Sequence, residues 1–308
     1  MSDQNTLKIW FTDMWGFEPF QFNTEINYFT HLLRLRYNII IDKGDPDLLV
    51  YSCFGDDHLN YQCKKLFFCG ENTSPAPPKR IIRASSEYCD AALTQFPDSD
   101  INRYFPLWCL FVNWFGHEMP YSIPSNPTYL CSVESLRCSD NRCKKQKDKF
   151  CVFLNNNPVE DRIYLYHKLS IIKKVDSFGK LLNNTGVVLR GSELEKLNLI
   201  DGYRLTIAFE NSYEYGYNTE KVIHPYSVGS IAIYSGGLDR SVFNSRSLFY
   251  LEDYKGIDDM INDIKRHEEE PELYAKKLQE PLFVNNQIPL AFTPVPVLEW
   301  IAKKCDLS

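Results

Sequence analysis

The chain has 308 residues, of which 44% are hydrophobic and 14% aromatic, and a formal net charge of −6. That length accommodates about two domains, and such an aromatic content fills large cores, which excludes a disordered or low-complexity protein. The acidic balance gives no nucleic-acid footprint, no apolar stretch approaches the ~20 residues of a membrane span, and the start MSDQNTLKIWF carries no signal-peptide pattern; the expectation is a soluble, cytoplasmic protein.

The first half alternates strand and helix signals. Residues 7–11 form a short apolar strand candidate, and 26–35 (INYFTHLLRL) carry helical apolar spacing. Residues 38–41 and 47–51 read as strands around a Gly44-Asp45-Pro46 turn. The run 65–69 (KLFFC) is a further strand that stops abruptly at Gly70-Glu71-Asn72. A proline-rich loop at 75–78 follows, and 107–115 reads as a helix. Residues 117–148 hold three prolines and then the basic run 142–149, an irregular connector whose charges read first as a solvated surface. The second half restarts the pattern. Strands are expected at 150–154, 187–189, 205–209, 230–234 and 247–251. Helices are expected at 159–172, 218–228, 256–278 with a break at Pro271, and 296–305. Strands alternating with helices imply parallel sheets. The division is two α/β domains, 1–148 and 149–308, with the terminal helix packing back on the first.

The most informative stretch is 205–237, LTIAFENSYEYGYNTEKVIHPYSVGSIAIYSGG. It reads as strand, loop, helix, strand, with polar groups gathered where the first strand ends and the helix begins. In open α/β sheets that edge binds ligands. Lys221 in the first helical turn faces the positive end of the macrodipole, a cost of roughly 0.3–1 kcal/mol that an anion at the same spot would reverse. Arg162 lies in the same position on its own helix. The plain alternative is a surface helix with an adjacent Glu220–Lys221 charge pair, and for Arg162 a surface pairing with Glu160 or Asp161.

Other chemistry-bearing patterns are weaker. Asp45-Pro46-Asp47 and Asp98-Ser99-Asp100 have a metal-binding Asp-x-Asp spacing, yet turn chemistry accounts for the first of them. Cys131, Cys138, Cys143 and Cys151 cluster without a C-x-x-C pair, and the ten cysteines are expected to be reduced. The six histidines are scattered; His224, one turn beyond Lys221, is placed where it could approach the site but reads first as a helix-surface residue. No metal site is expected.

The motifs together resemble those of the α-1,3/4-fucosyltransferases, GT10-like enzymes. Phe209-Glu210-Asn211, Tyr217-Asn218-Thr219-Glu220-Lys221 and the apolar strand ending at Gly236 are similar to that family's signature. So are Phe243-Asn244-Ser245-Arg246-Ser247, Phe67-Phe68-Cys69-Gly70-Glu71-Asn72, and Arg103-Tyr104 followed by Pro106-Leu107-Trp108. These matches keep the family's order across about residues 65–255. The resemblance implies an α/β GT-B fold, two Rossmann-like domains facing across a cleft. It implies inverting transfer of fucose from GDP-fucose to a glycan hydroxyl, in an α-1,3 linkage to N-acetylglucosamine or glucose. The partners implied are a nucleotide sugar and a glycan acceptor. No cofactor is required, and a divalent metal is at most stimulatory. By matching position, Glu71 is the general base, and Arg162, Asn211, Tyr217, Glu220 and Lys221 bind the donor. Arg162 and Lys221 take the pyrophosphate and Glu220 the ribose hydroxyls, while Tyr217 is also readable as a core aromatic. Pro225 departs from the family's unbroken helix and should kink or end it. The alternatives are a same-fold enzyme for another GDP-sugar and a non-catalytic sugar-nucleotide or glycan-binding module.

Overall fold

The computed structural model describes residues 5–15, 22–72, 88–116, 130–138, 147–154, 156, 158–189 and 193–307. The proline-rich loop, Cys143 and most of the basic run lie outside the described residues. The chain divides into two compact units, Met1–Tyr129 with Pro289–Ser308, and Leu130–Ile288.

The first unit carries β1 (Thr6–Thr12), α1 (Tyr28–Arg34), β2 (Asn38–Ile41), β3 (Leu48–Tyr51), β4 (Lys64–Cys69), β5 (Ala91–Thr94), β6 (Asn102–Tyr104) and a short β7 (Val112–Asn113). The first six strands form one parallel sheet in the order β2-β1-β3-β4-β5-β6. β3 and β5 are buried along their whole length. That is why they read as continuous apolar runs instead of an in–out alternation. Leu49, Tyr51, Phe67 and Ala92 pack together as one core cluster, and Phe29 of α1 meets Phe68 with ring centroids 5.3 Å apart. Asn27 starts α1, its side chain accepting from Thr30 N at 2.9 Å, as an N-cap should. Arg103 holds the C-terminal segment, donating to the carbonyls of Pro296 at 3.0 Å and Ala291 at 2.6 Å.

The expected helix at 107–115 is corrected. Leu107–Phe111 is a single 3₁₀ turn that runs into extended backbone at β7. Trp108, Cys109, Leu110 and Phe111 are all buried, so the run has no solvent face to support a longer amphipathic helix. β5 and β6 were not anticipated. Ala91-Ala92 has little intrinsic strand preference, and its conformation comes from the register against β4.

The second unit carries β8 (Cys131–Ser132), β9 (Lys149–Phe153), α2 (Glu160–Ile172), β10 (Val175–Ser177), α3 (Glu193–Ile200), β11 (Tyr203–Ile207), α4 (Glu220–Ser227), β12 (Ile231–Tyr234), β13 (Phe249–Tyr250), α5 (Ile257–Glu269) and α6 (Pro271–Leu278). A parallel sheet runs β10-β9-β11-β12-β13. The chain leaves β9 for β10 on one side and then returns to β11 on the other. The strand order therefore reverses between β9 and β11, the point where open α/β sheets bind ligands at their carboxyl edge. The expected strand at 187–189 is absent. Val187 is 51% exposed, and the sheet position beside β9 is taken by Val175–Ser177, where Val175 pairs with Cys151. Pro225 sits inside α4, which ends two residues later at Ser227. Among the described residues no helix is long and apolar enough to cross a membrane.

Candidate functional site

At the carboxyl end of β11, Glu210 is buried with its side chain wholly out of solvent. A bare carboxylate there would be costly, so its oxygens are saturated. Thr219 donates its backbone N–H and its hydroxyl at 2.9 Å, Tyr234 Oη donates at 3.1 Å, and Lys221 Nζ stands 3.2 Å away. Asn218 extends the network, donating to Tyr234 Oη at 3.0 Å and to the Gly237 carbonyl at 3.3 Å. A Cβ on Gly237 would lie 2.0 Å from the Glu214 carbonyl oxygen, so only glycine lets this turn close. Glu210 was not singled out from the sequence; its signal was an acidic residue placed directly after an apolar strand.

Lys221 lies in the first turn of α4, as expected, but it does not stand uncompensated against the dipole. Its ammonium already touches Glu210, Glu220 at 3.4 Å and Thr219 Oγ1 at 3.2 Å. Burial alone would lower its pKa, but the Glu210 and Glu220 carboxylates outweigh that and hold it well above the ordinary lysine range. Burial pushes the Glu210 carboxyl up while Lys221 pulls it back. Glu220 is held low: burial opposes ionisation, yet Lys221, His224 and Lys196 more than offset it. Lys221→Met is expected to destabilise the second unit by about 3 kcal/mol, because Glu210 is left buried without its partner and the lysine is itself a quarter exposed. Adding Glu210→Gln should recover most of that loss in chemical denaturation. No recovery would mean the pair is not what holds the turn.

Arg162, the third residue of α2, is 2% exposed. Its Nη2 donates to the Phe209 carbonyl at 2.6 Å and to Asn211 Oδ1 at 3.0 Å. The surface pairing with Glu160 or Asp161 is replaced by this anchor to the β11 edge. Its Nη1 is buried with no hydrogen-bond partner. Burial lowers the guanidinium pKa and Glu210 offsets part of the effect. A buried, unmatched donor on a fixed cation is a ready place for an anionic oxygen.

Arg162, Glu220 and Lys221 line one pocket together with Leu154 after β9 and Phe209 after β11. It therefore opens at the β9/β11 reversal. Glu193, Lys196 and His224 also line it. Asn211 is exposed beside Arg162. Tyr217 is 4% exposed and lies close enough to Arg162 to act on its charge.

His224 is corrected too: it is 2% exposed instead of lying on the helix surface. Burial is the main cause that lowers its pKa, opposed by Glu193 and Glu220. A histidine kept neutral by folding contributes stability that is full above its unfolded pKa of roughly 6.5 and is lost as pH falls through the lower folded value. Unfolding free energy should therefore decline below about pH 6.5. His224→Gln should flatten that limb in denaturation series, and an unchanged limb would assign it to other groups.

In the first unit, Glu71 follows β4 directly, and Trp15 Nε1 donates to its Oε1 at 3.0 Å. A Cβ on Gly70 would lie 2.5 Å from Leu107 Cδ1, so the glycine leaves room for Leu107 to pack against the segment that carries Glu71. The Asp-x-Asp patterns have structural work. Asp47 accepts from Lys8 N and Asp98 from Tyr104 N, while Asp45 faces Lys8 Nζ. Among the described residues no group of three or more His, Cys, Asp or Glu side chains could hold a metal ion.

Comparison with known proteins gives concordant matches. The family model of the α-(1,3)-fucosyltransferase FucT N-terminal domain matches residues 9–111. That of the glycosyltransferase family 10 (fucosyltransferase) C-terminal part matches residues 143–279. The chain is 27% identical over 301 residues to the α-(1,3)-fucosyltransferase FucT of Helicobacter pylori, covering 89% of this chain and 60% of that one. It is 31% identical over 152 residues to a protein of Acanthamoeba polyphaga mimivirus named as a fucosyltransferase, covering 46% of this chain and 25% of that one. The chain thus spans between a quarter and three-fifths of these relatives' lengths. Among solved structures, an α1,3-fucosyltransferase with GDP superposes with a TM-score of 0.69 at 24% identity, over 99% of this chain and 92% of that one. A likeness at that identity shows the shared fold.

Proposed function

Because the chain belongs to glycosyltransferase family 10, the fucosyltransferases, we propose that it transfers fucose from GDP-fucose, with inversion, to a hydroxyl of a glycan acceptor. The observation that carries this is the buried Arg162 with its unmatched Nη1, set beside Lys221 in a pocket at the strand-order reversal. A leaving diphosphate needs cationic donors that are already in place as its charge develops. In the step proposed, the acceptor oxygen bonds to the fucose anomeric carbon and the bond from that carbon to the diphosphate oxygen breaks. GDP leaves with the electron pair, and the acceptor proton passes to Glu71. Arg162 and Lys221 stabilise the departing charge, Glu220 accepts from the ribose hydroxyls, and Asn211 holds Arg162 in place. Asn211 and Tyr217 complete the donor site, facing sugar or phosphate oxygens. The second unit is read as the holder of the nucleotide sugar and the first as the acceptor unit.

The linkage proposed is α-1,3 to N-acetylglucosamine or glucose. With two cationic side chains on the diphosphate, a divalent metal is at most stimulatory. The setting proposed is cytoplasmic, where cysteines stay reduced. Donor consumption measured across GDP-fucose, GDP-mannose and UDP-sugars tests the donor. Turnover confined to GDP-fucose is expected. Preference for another GDP-sugar would transfer the assignment to that donor, and binding without turnover of any donor would make the protein a binding module.

A further inference from the structure

The pocket holds a second charged pair that the transfer chemistry does not use. Glu193 opens α3, and one turn later Lys196 donates to its Oε1. Its other oxygen, Oε2, is buried without a hydrogen bond. His224 Nδ1 is 3.7 Å from it, beyond hydrogen-bond length. Both Glu193 and Lys196 line the same cavity as Arg162 and Lys221, and Leu154 and Ile200 add apolar wall to it. A carboxylate oxygen withdrawn from water without a donor is destabilised, so this one calls for N–H groups on whatever enters. Beside it the ammonium offers a donor. An acceptor flanked by a donor is the complement of one nucleobase edge in particular. Guanine presents O6 as acceptor next to its N1–H and N2–H₂ donors, whereas adenine reverses the order and uracil puts an oxygen where guanine has the amino group.

We propose that Glu193 selects guanine in the donor pocket, accepting from N1–H and N2–H₂ while Lys196 faces O6. This rests on the reading that the pocket takes GDP. A site that hydrogen-bonds a base edge rejects bases lacking it because its own buried groups are then left unpaired.

Calorimetric binding of GDP, inosine diphosphate and xanthosine diphosphate to the whole protein tests it. Inosine lacks the amino group and xanthine replaces it with a carbonyl. Wild type is expected to bind inosine diphosphate about tenfold more weakly than GDP, and xanthosine diphosphate more weakly still. Glu193→Gln should lose about 10- to 100-fold in GDP affinity and gain affinity for xanthosine diphosphate, since its amide can donate to the new carbonyl. That gain cannot come from a damaged fold. Equal affinity of wild type for the three nucleotides overturns the proposal whatever the variant does. So does a Glu193→Gln protein that keeps the wild-type order of preference. Arg162→Lys separates the two readings: if it weakens GDP binding while Glu193→Gln leaves the preferences unchanged, only the guanine assignment falls. If wild type binds no GDP, the donor reading and this proposal fall together.

Discussion

Glu71→Gln is expected to lower fucosyl transfer by about 10²–10⁴-fold, the usual contribution of a general base, with GDP affinity unchanged. The substitution keeps size and shape. The glutamine amide oxygen can still accept from Trp15 Nε1, which holds the carboxylate in the native protein at 3.0 Å. Gly70 still permits the close approach to Leu107. What disappears is the capacity to take a proton. The residues proposed for the nucleotide all lie in the second unit, so calorimetric GDP binding should not register the change. Turnover of GDP-fucose with a glycan acceptor is the direct measurement. A variant with wild-type turnover would remove Glu71 from the mechanism. Parallel loss of turnover and GDP binding would reassign it to the donor.

Arg162→Lys should reduce kcat/KM by about 10²–10³-fold, the range for losing one preorganised donor on developing negative charge. The guanidinium fork spans two jobs that one ammonium cannot combine. Nη2 is fixed by the Phe209 carbonyl and Asn211, and Nη1 remains for the ligand. A lysine can reach one side or the other. The effect on stability should be small, because the buried, unmatched Nη1 is removed together with the bonds of Nη2. That sets it apart from Lys221, whose loss strands Glu210. Unchanged GDP affinity and turnover in a stably folded Arg162→Lys protein would deny it the phosphate role.

The strands at β1, β3, β4, β9, β11 and β12 were legible because each is a short apolar run bounded by turn residues. α2, α5 and α6 were legible from their spacing, with Pro271 at the start of α6. β10 and α3 were not. Val175-Asp176-Ser177 is too short and polar to signal a strand. Val187-Val188-Leu189 signals one that the sheet has no place for. Missing α3 also hid Glu193 and Lys196, so a wall of the pocket went unread. His224 was misplaced for the same kind of reason: a helix of eight residues has faces, but which of them is covered depends on neighbours such as α3 and β12.

The sequence by itself determined the α/β class, the parallel sheets and the residue types gathered at the β11–α4 edge. These follow from local hydrophobic period and turn chemistry, which act over a few residues. Only the tertiary structure decided how those charges are spent. Lys221 meets Glu210 because the 211–218 turn folds back on Gly237. Arg162 meets Phe209, 47 residues away, because β9 and β11 are neighbours in the sheet. Pairing and desolvation depend on distances of a few ångströms between segments remote in the chain, and no spacing pattern encodes those.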